Sequence, residues 1–219
     1  MSTSRRLSVV LIDCMGVELE IVDGPVGIMV SGGVDSSILL YYLMKNTADT
    51  IHIYTTGSNL KFRRNSIVAP IVVEKCIQLT GNNNVVHHIH YDEAATDTSM
   101  CDAPKKDVDS GKLNRVYDGT TMNPPNEIAS KFVPIFKFDY SRKEDGDNVK
   151  YYHNDKFYMP WANTNKQGIA EMYRDENLIE SLLPVTRSCE YDPTCEYFIE
   201  NDIKDPGLGH CGECWWCKE

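Results

Sequence analysis

The sequence predicts an α/β fold in which helices cover a parallel sheet, followed by a cysteine-rich C-terminal segment. Short apolar runs rich in β-branched residues alternate with longer segments of helical periodicity, which is the pattern of β-α-β crossovers. A serine-glycine-glycine turn, Ser31–Gly33, separates one such strand from the helix that follows. Five of the eight cysteines lie in the last 31 residues. We expect one domain over residues 1–185, including an N-terminal hairpin, and a metal-binding segment over residues 186–219.

The composition is that of a globular protein with an acidic surface. The chain has 219 residues, of which 42% are apolar and 25% charged, and its formal net charge is −10. An acidic chain lacks the general basic surface that duplex nucleic acid requires, so we do not expect a nucleic-acid partner. No apolar run reaches membrane-spanning length and the N-terminus has no signal-peptide pattern. We therefore expect no membrane partner and a cytoplasmic location.

The stretch Val26–Tyr42 has the pattern of a strand, a turn and a helix. Val26–Val30 is short and β-branched, as in a buried parallel strand. Ile38–Met44 is apolar throughout, as in a buried helix, and we expect Asp or Ser from Asp35–Ser37 to cap its N-terminus.

The residues of this turn are suited to holding a phosphate group. Glycines let the backbone approach an anion closely, and the first turn of a helix presents N–H groups without intrahelical partners. Serine hydroxyls add donors, and the carboxylate of Asp35 can hold a Mg²⁺ that bridges phosphate oxygens. The candidate nucleotide-binding residues in this turn are Ser31, Gly32, Gly33, Val34, Asp35, Ser36 and Ser37.

The hexapeptide Ser31–Ser36, read as SGGVDS, resembles the SGGxDS signature of the PP-loop ATP pyrophosphatase family. The resemblance implies a Rossmann-like domain of the adenine nucleotide alpha-hydrolase type. It also implies that ATP is cleaved between its α- and β-phosphates with Mg²⁺ and that a substrate oxygen is adenylated. We assign catalytic roles to Asp35 and Ser36 on this basis.

An acidic chain must meet the ATP phosphates with local positive charge. The candidates are Lys61, Arg63, Arg64, Lys166 and Arg187. Among them we take Arg63 as a nucleotide-binding residue and Lys166 as a catalytic one.

Five further segments have strand or helix periodicity. Leu7–Asp13 and Val17–Val22 are predicted to form a hairpin, Thr50–Thr56 and Val85–Tyr91 two parallel strands, and Ile67–Thr80 a helix. With the strand and helix around the turn they give the order β-α-β-α-β, which requires crossover connections.

The middle of the chain has weaker patterns. Residues 92–126 are rich in Asp, Thr, Lys, Gly and Pro, and we expect a long insertion without regular structure, part of which covers the active site. Residues 118–125 lie where related PP-loop synthases carry an arginine–asparagine motif that contacts the substrate, and this resemblance implies Thr120, Thr121 and Asn123 as substrate contacts. A proline-stiffened loop is the alternative. Phe132–Phe138 alternates as a strand does, and residues 139–156 have the polarity of a surface hairpin or loop.

Three histidines lie in the predicted strand Val85–Tyr91. His88 and His90 share one face, and His87 lies on the other. We interpret them as solvated or substrate-side residues rather than as a metal site.

Cys211, Cys214 and Cys217 follow one another at intervals that let thiolates surround one tetrahedral cation. A fourth ligand would complete a closed site, and Cys189 and Cys195 both compete for that place. Four thiolates leave the ion no open position, so we expect a structural Zn²⁺.

The Thr-Arg-Ser-Cys phrase at 186–189, followed by the three later cysteines, resembles the tail of the 7-cyano-7-deazaguanine synthase family. The resemblance implies that Cys189 is the fourth zinc ligand. Tyr158–Trp161 resembles the apolar segment before the lysine-bearing helix of this family, which here begins at Lys166.

This second resemblance implies a reaction. The family takes 7-carboxy-7-deazaguanine, ATP and ammonia, adenylates the carboxylate, forms the amide and dehydrates it to the nitrile through a second adenylation. It implies an ATP-dependent carbon–nitrogen ligase of queuosine and 7-deazaguanine biosynthesis that acts on this deazapurine or a close analogue.

Two alternatives stay open. One is a PP-loop tRNA sulfurtransferase that carries an iron–sulfur cluster on the closely spaced cysteines. The other is a non-catalytic nucleotide-binding subunit. A homodimer is also open, because Trp215 and Trp216 suit either a dimer contact or a cover over the metal.

Overall fold

The computed structural model describes residues 7–12, 16–58, 64–91, 99–132, 146–189, 191 and 195–218. The strands are β1 (Leu7–Ile12), β2 (Val17–Val22), β3 (Val26–Met29), β4 (Ile51–Gly57), β5 (Val85–Tyr91), β6 (Val116–Asp118), β7 (Tyr151–Tyr152) and β8 (Phe157–Tyr158). The helices are α1 (Val34–Asn46), α2 (Asn65–Thr80), α3 (Asp102–Asp109), α4 (Asn126–Phe132), α5 (Lys166–Asp175), α6 (Glu196–Glu200) and α7 (Trp215–Lys218). Short 3₁₀ turns occupy Ser99–Cys101 and Leu183–Val185.

Six of the strands form one sheet in the order β5-β4-β3-β6-β8-β7, and all neighbours are parallel except β7 and β8. The predicted α/β fold with a mostly parallel sheet is confirmed. The chain moves from β3 outward through β4 to β5 and then returns to the other side of β3 as β6. In open α/β sheets this reversal creates a crevice at the carboxyl ends of the two diverging strands, here β3 and β6.

Helix α1 lies at the centre of the core. Every residue from Ser36 to Met44 is buried, and the helix packs against α2 and α5. Such a helix needs apolar residues on all sides, which explains why Ile38–Met44 has no polar stripe. Its position is therefore fixed by packing in several directions.

Strands β1 and β2 pair antiparallel outside the main sheet, with Leu7 opposite Val22. Leu19 and Ile21 of β2 enter the main core. The buried hydroxyl of Tyr117 donates to the carbonyl of Glu20 at 2.9 Å and accepts the N–H of Val22 at 3.2 Å. Buried side-chain hydrogen bonds thus attach the hairpin to the sheet.

The structure corrects the predicted cap of α1. Gly33 is the N-cap residue, and no side-chain hydrogen bond caps the helix. The hydroxyls of Ser36 and Ser37 instead donate to the carbonyl of Gly33, at 3.3 and 2.7 Å. The helix begins at Val34, before all three predicted cap residues, so the two serines lie inside the first turn and cannot cap it.

The middle of the chain has more regular structure than its composition predicts. The expected unstructured insertion contains α3 and β6, because Val108, Leu113 and Val116 supply enough apolar burial to fold them against Tyr54. Phe132 ends α4, so the strand predicted from this residue is wrong at its start, and residues 133–138 lie outside the described ranges. Within residues 139–156, where a surface hairpin or loop is predicted, the described part holds the edge strand β7, which pairs antiparallel with the buried strand β8 that follows this range.

None of the helices in the described ranges combines the length and hydropathy needed to cross a bilayer.

Candidate functional site

The glycines of the turn after β3 are required by close packing. Gly32 has φ +86°, and a Cβ on it would lie 2.7 Å from Cγ1 of Val68 and 3.0 Å from the backbone nitrogen of Ala69. A Cβ on Gly33 would lie 3.1 Å from Oγ of Ser188. Side chains at these two positions would push the turn away from α2 and from the chain at 188.

The backbone donors of this turn converge on serine hydroxyls. The N–H of Gly33 donates to Oγ of Ser31 at 3.2 Å, and the N–H of Ser31 donates to Oγ of Ser36 at 3.3 Å. The N–H of Val34, at the start of α1, donates to Oγ of Ser188 at 3.0 Å. Donors of this kind at a helix N-terminus favour an anion. The predicted residues Ser31–Ser37 therefore form one compact loop, which we call the phosphate loop.

Asp35 and Lys166 form an ion pair at the phosphate loop, and their side chains are 20% and 16% exposed. Lys166 Nζ binds Oδ2 of Asp35. Oδ1 of Asp35 is buried and accepts no hydrogen bond from the described residues. A buried carboxylate oxygen without a donor is costly, and a hard cation would satisfy it. Two of the three predicted catalytic residues, Asp35 and Lys166, are thus in direct contact.

Helix α5 is bound to the first turn of α1 at three places. Besides Lys166, Tyr173 donates its hydroxyl to the carbonyl of Val34 at 2.9 Å. Trp161, which precedes the helix, donates Nε1–H to the carbonyl of Asp35 at 3.3 Å. Asn165 caps α5 by accepting the N–H of Gly168 at 2.9 Å, which fixes the start of the helix, where Lys166 lies. Burial raises the pKa of Tyr173 well above its ordinary value, so its hydroxyl stays a donor.

The end of β6 packs directly on the phosphate loop. Met29 of β3 is in register with Asp118 of β6, so the two loops leave the sheet side by side. A Cβ on Gly119 would lie 2.9 Å from Cα of Ser36. Oδ1 of Asp118 accepts the N–H and the hydroxyl of Thr120 at 3.0 and 2.8 Å. No role is predicted for Asp118 or Gly119 from the sequence, because only the sheet register brings them to this edge.

A cavity of about 170 Å³ opens beside Lys166. It is lined by Met122, Asn123, Pro124, Pro125, Ile128, Asn165, Lys166 and Gln167. Asn123, a predicted substrate contact, is among these residues, whereas Thr120 donates to Asp118 and Thr121 is buried. The cavity thus combines apolar walls with amide groups and one cation.

The sulfurs of Cys189, Cys211, Cys214 and Cys217 all lie within 4.8 Å of one another. The separation is 3.8 Å between Cys211 and Cys217 and 3.4 Å between Cys214 and Cys217. Four thiolates about 2.3 Å from a tetrahedral zinc ion lie about 3.8 Å apart, so the four sulfurs fit one such ion. The donated hydrogen bonds of the neighbouring thiols, Cys189 first, hold the pKa of Cys211 well below its usual range. Cys195 instead sits at the start of α6.

The structure separates the predicted cations. Arg64 is buried beside the cysteines: it pairs with Asp205 at 2.9 Å and its guanidinium lies 3.9 Å from Sγ of Cys189. The Arg187 side chain donates to carbonyls, including that of Leu208 at 2.6 Å, rather than to the phosphate loop. The expectation that both meet phosphate is therefore not supported by their positions. Lys61 and Arg63 lie outside the described residues, so Arg63 stays a prediction.

The histidines form a separate feature on the sheet. Nδ1 of His52 and Nε2 of His88 are 3.0 Å apart, and the rings of His88 and His90 stack on the same face. His87 lies on the opposite face, 2.9 Å from Oγ1 of Thr55. Within the described ranges, the cysteines are the group of three or more side chains that could hold a metal. The face assignments of the three strand histidines agree with the prediction.

Two of three comparisons with known proteins found a match. Residues 10–95, from β1 through β5, match the family model for asparagine synthase, which belongs to the PP-loop ATP pyrophosphatase superfamily. No curated protein matches the sequence. The structure is similar to that of the U34-tRNA thiolase NcsA from Methanococcus maripaludis with its 4Fe-4S cluster, at a TM-score of 0.45 and 12% identity. That alignment covers 82% of this chain and 64% of the thiolase chain.

The sheet order and the crevice at the carboxyl ends of β3 and β6 define an open α/β domain, and ligands of such domains bind at this kind of crevice. Residues 10–95 of this domain match a family model of the PP-loop ATP pyrophosphatase superfamily, and a cysteine cluster suited to a metal follows.

Proposed function

We propose that this protein is an ATP-dependent carbon–nitrogen ligase that adenylates the carboxylate of 7-carboxy-7-deazaguanine or a close analogue and then uses ammonia to form an amide and a nitrile. The observation that carries the proposal is the ion pair between Lys166 and Asp35 on the phosphate loop. It brings a cation and a carboxylate to the first turn of α1, where the triphosphate of ATP would lie.

The phosphate loop would bind the β- and γ-phosphates. Its donors would be the hydroxyl of Ser31 and the N–H of Gly33, which would exchange Oγ of Ser31 for a phosphate oxygen. The buried Oδ1 of Asp35 would hold Mg²⁺, which neutralises charge on the leaving pyrophosphate when it is bound. Lys166 then turns from Asp35 toward a phosphate oxygen.

The first chemical step activates the carboxylate. A carboxylate oxygen attacks the α-phosphorus of ATP, the bond from that phosphorus to the bridging oxygen breaks, and pyrophosphate leaves with the electron pair. The cation of Lys166 and the loop donors stabilise the negative charge that develops on the pyrophosphate. The product is an acyl adenylate, whose carbonyl carbon is a far better electrophile than a carboxylate carbon.

The later steps use ammonia and a second ATP. Ammonia adds to the acyl carbon, AMP leaves with the carboxylate oxygen, and a proton is lost to give the amide. The amide oxygen then attacks a second ATP in the same way. Loss of AMP with that oxygen, and of two protons from nitrogen, leaves the nitrile.

The cavity beside Lys166 would hold the acceptor. Its prolines, Met122 and Ile128 can pack on a planar ring, and the amides of Asn123 and Gln167 can pair with polar ring edges. A carboxylate on such a ring would point toward Lys166. The class of acceptor is therefore a flat, polar-edged heterocycle that bears a carboxylate.

The four cysteines would hold Zn²⁺ in a structural role, because four thiolates leave no position for substrate. The sulfur separations suit one ion, whereas the thiolates of a four-iron cluster bind separate irons and lie further apart. This observation favours the ligase over an iron–sulfur sulfurtransferase.

The test is a turnover assay on metal-loaded protein with ATP, ammonium and 7-carboxy-7-deazaguanine that measures AMP, pyrophosphate and product mass. We expect AMP and a nitrile, and loss of both in Asp35→Asn. Asp109→Asn is the matched control, because Asp109 pairs with Lys156 on the surface. A brown protein that yields no AMP with this acid would favour the sulfurtransferase. A protein that binds ATP tightly without turning it over would favour the non-catalytic nucleotide-binding subunit.

A further inference from the structure

One short segment of the chain contacts both the phosphate loop and the cysteine cluster. Residues 186–189 run from the core to Cys189, one of the four clustered thiols. The backbone N–H of Arg187 donates to the carbonyl of Gly32 at 2.8 Å. The next residue, Ser188, accepts the N–H of Val34 through its hydroxyl at 3.0 Å. Arg187 and Ser188 therefore each form one hydrogen bond with the phosphate loop, and Cys189 belongs to the cysteine cluster.

Ser188 lies at the N-terminus of α1, beside the place where a phosphate group would bind. Its Oγ accepts a donor at the N-terminus of α1, and that donor has no partner within the helix. It would also lie 3.1 Å from a Cβ on Gly33, so it is in contact with the turn itself. A hydroxyl that accepts one hydrogen bond still has its own proton to donate. Ser188 can therefore hold the N–H of Val34 and donate to a phosphate oxygen at the same time.

The position of Ser188 depends on the residue that follows it. Cys189 is 9% exposed and accepts the N–H of Cys211, 22 positions along the chain, at 3.4 Å. The guanidinium of Arg64, at the start of α2, lies 3.9 Å from the same sulfur. An ion on the four sulfurs would fix Cys189, and the peptide link would fix Ser188 against α1. Without the ion, the four thiols are not held on one centre, and the segment of residues 186–189 loses the contact that the ion would give Cys189.

We propose that Ser188 is a phosphate-binding residue and that metal loading of the cysteine cluster sets its position, so that nucleotide affinity depends on the metal. The proposal rests on the function proposed above, because it takes ATP as the ligand of the phosphate loop. It gives the cysteine cluster a role beyond folding, because the bound metal would raise the nucleotide affinity of the phosphate loop through Ser188.

The test compares the affinity for Mg²⁺–ATP, measured by calorimetry, in zinc-loaded and chelated protein. Loss of one hydrogen bond to a charged group weakens binding about tenfold or more, so we expect chelation to weaken binding by that factor. Zinc-loaded Ser188→Ala should be weakened to the same degree, and chelation should change its affinity little further. Thr186→Val is the matched control, because that hydroxyl donates to the carbonyl of Leu183 and not to the phosphate loop.

Equal affinity in Ser188→Ala and the parent protein would overturn the role of Ser188. A chelation effect as large in Ser188→Ala as in the parent would overturn the coupling. If chelation unfolds the chain, as judged by circular dichroism, the comparison is repeated with Cys189→Ser, which releases one anchor. Amide exchange gives a second readout: Val34 should exchange faster in Ser188→Ala and in Cys189→Ser, and an unchanged rate contradicts the proposal.

The two proposals fail in different ways. Metal-dependent ATP binding without AMP formation would overturn the ligase and leave the coupling intact. AMP formation together with ATP binding that does not depend on the metal would overturn the coupling and leave the ligase intact. Metal-loaded protein that does not bind ATP would overturn both.

Discussion

Lys166 binds the carboxylate of Asp35 although the two residues are 131 positions apart in the chain. Helix α5 brings the lysine there, and Tyr173 and Trp161 of the same region hold the carbonyls of Val34 and Asp35. The pair joins the first turn of α1 to the wall of the cavity, so one residue borders both the phosphate loop and the proposed acceptor site.

Lys166→Met should slow AMP formation about 10²–10³-fold, because it removes a cation that stabilises the leaving pyrophosphate. Steady-state kinetics with saturating ATP would measure the effect on kcat. The control is Lys156→Met, since Lys156 forms a surface ion pair with Asp109. A kcat within about threefold of the parent would contradict the assigned role.

Gly32→Ala should destabilise the fold by more than about 1 kcal/mol, because the new Cβ adds a clash to the strain of a positive φ. Gly111→Ala is the control: Gly111 has φ +79°, but a Cβ there would meet nothing within 4 Å. Urea unfolding of both variants separates backbone strain from packing. Equal losses of unfolding free energy would show that contact with Val68 and Ala69 costs little.

Cys189→Ser should lower the zinc content and the midpoint of thermal unfolding, whereas Cys195→Ser should retain one zinc ion per chain. The reason is that Cys189, and not Cys195, belongs to the four clustered sulfurs. Elemental analysis and thermal melts measure both properties. Loss of zinc from Cys195→Ser with retention in Cys189→Ser would reverse the assignment of the fourth ligand.

The free energy of unfolding should fall as the pH drops below 6.5. Burial lowers the pKa of His52, His87 and His88 below the ordinary value of 6.5. Between that value and the lowered ones, the unfolded chain binds more protons than the folded chain, so acid favours unfolding. Urea titrations above and below pH 6.5 measure the slope, and His52→Gln combined with His88→Gln should reduce it. An unchanged slope in the double variant would show that other groups cause the loss.

The sequence predicts the parts of this molecule that local chemistry determines. The turn at Ser31–Gly33 between an apolar strand and an apolar helix predicts the compact loop, and the cysteine spacing predicts the cluster. The α/β class follows from the same alternation of elements, and the structure confirms it. The assignment of site residues to ATP and zinc stays a prediction.

Other parts follow only from tertiary packing. Ser188 and Gly119 meet the phosphate loop because the chain returns to it from distant segments, and no contact of either residue with the loop is predicted from the sequence. Arg64 has the sequence context of a phosphate ligand, but burial beside Cys189 and pairing with Asp205 place it at the cluster. Helix α3 is not predicted from the sequence, because most of its residues are polar and its buried residues are Pro104 and Val108.

The central claim is that a substrate carboxylate attacks the α-phosphorus of ATP at this loop, and isotope transfer tests it most directly. The protein is incubated with ATP, ammonium and 7-carboxy-7-deazaguanine labelled with ¹⁸O in its carboxylate, and the AMP is analysed by mass spectrometry. The account predicts AMP that carries one ¹⁸O atom, because the carboxylate oxygen leaves with AMP. Unlabelled AMP, or ADP and phosphate in its place, would contradict it.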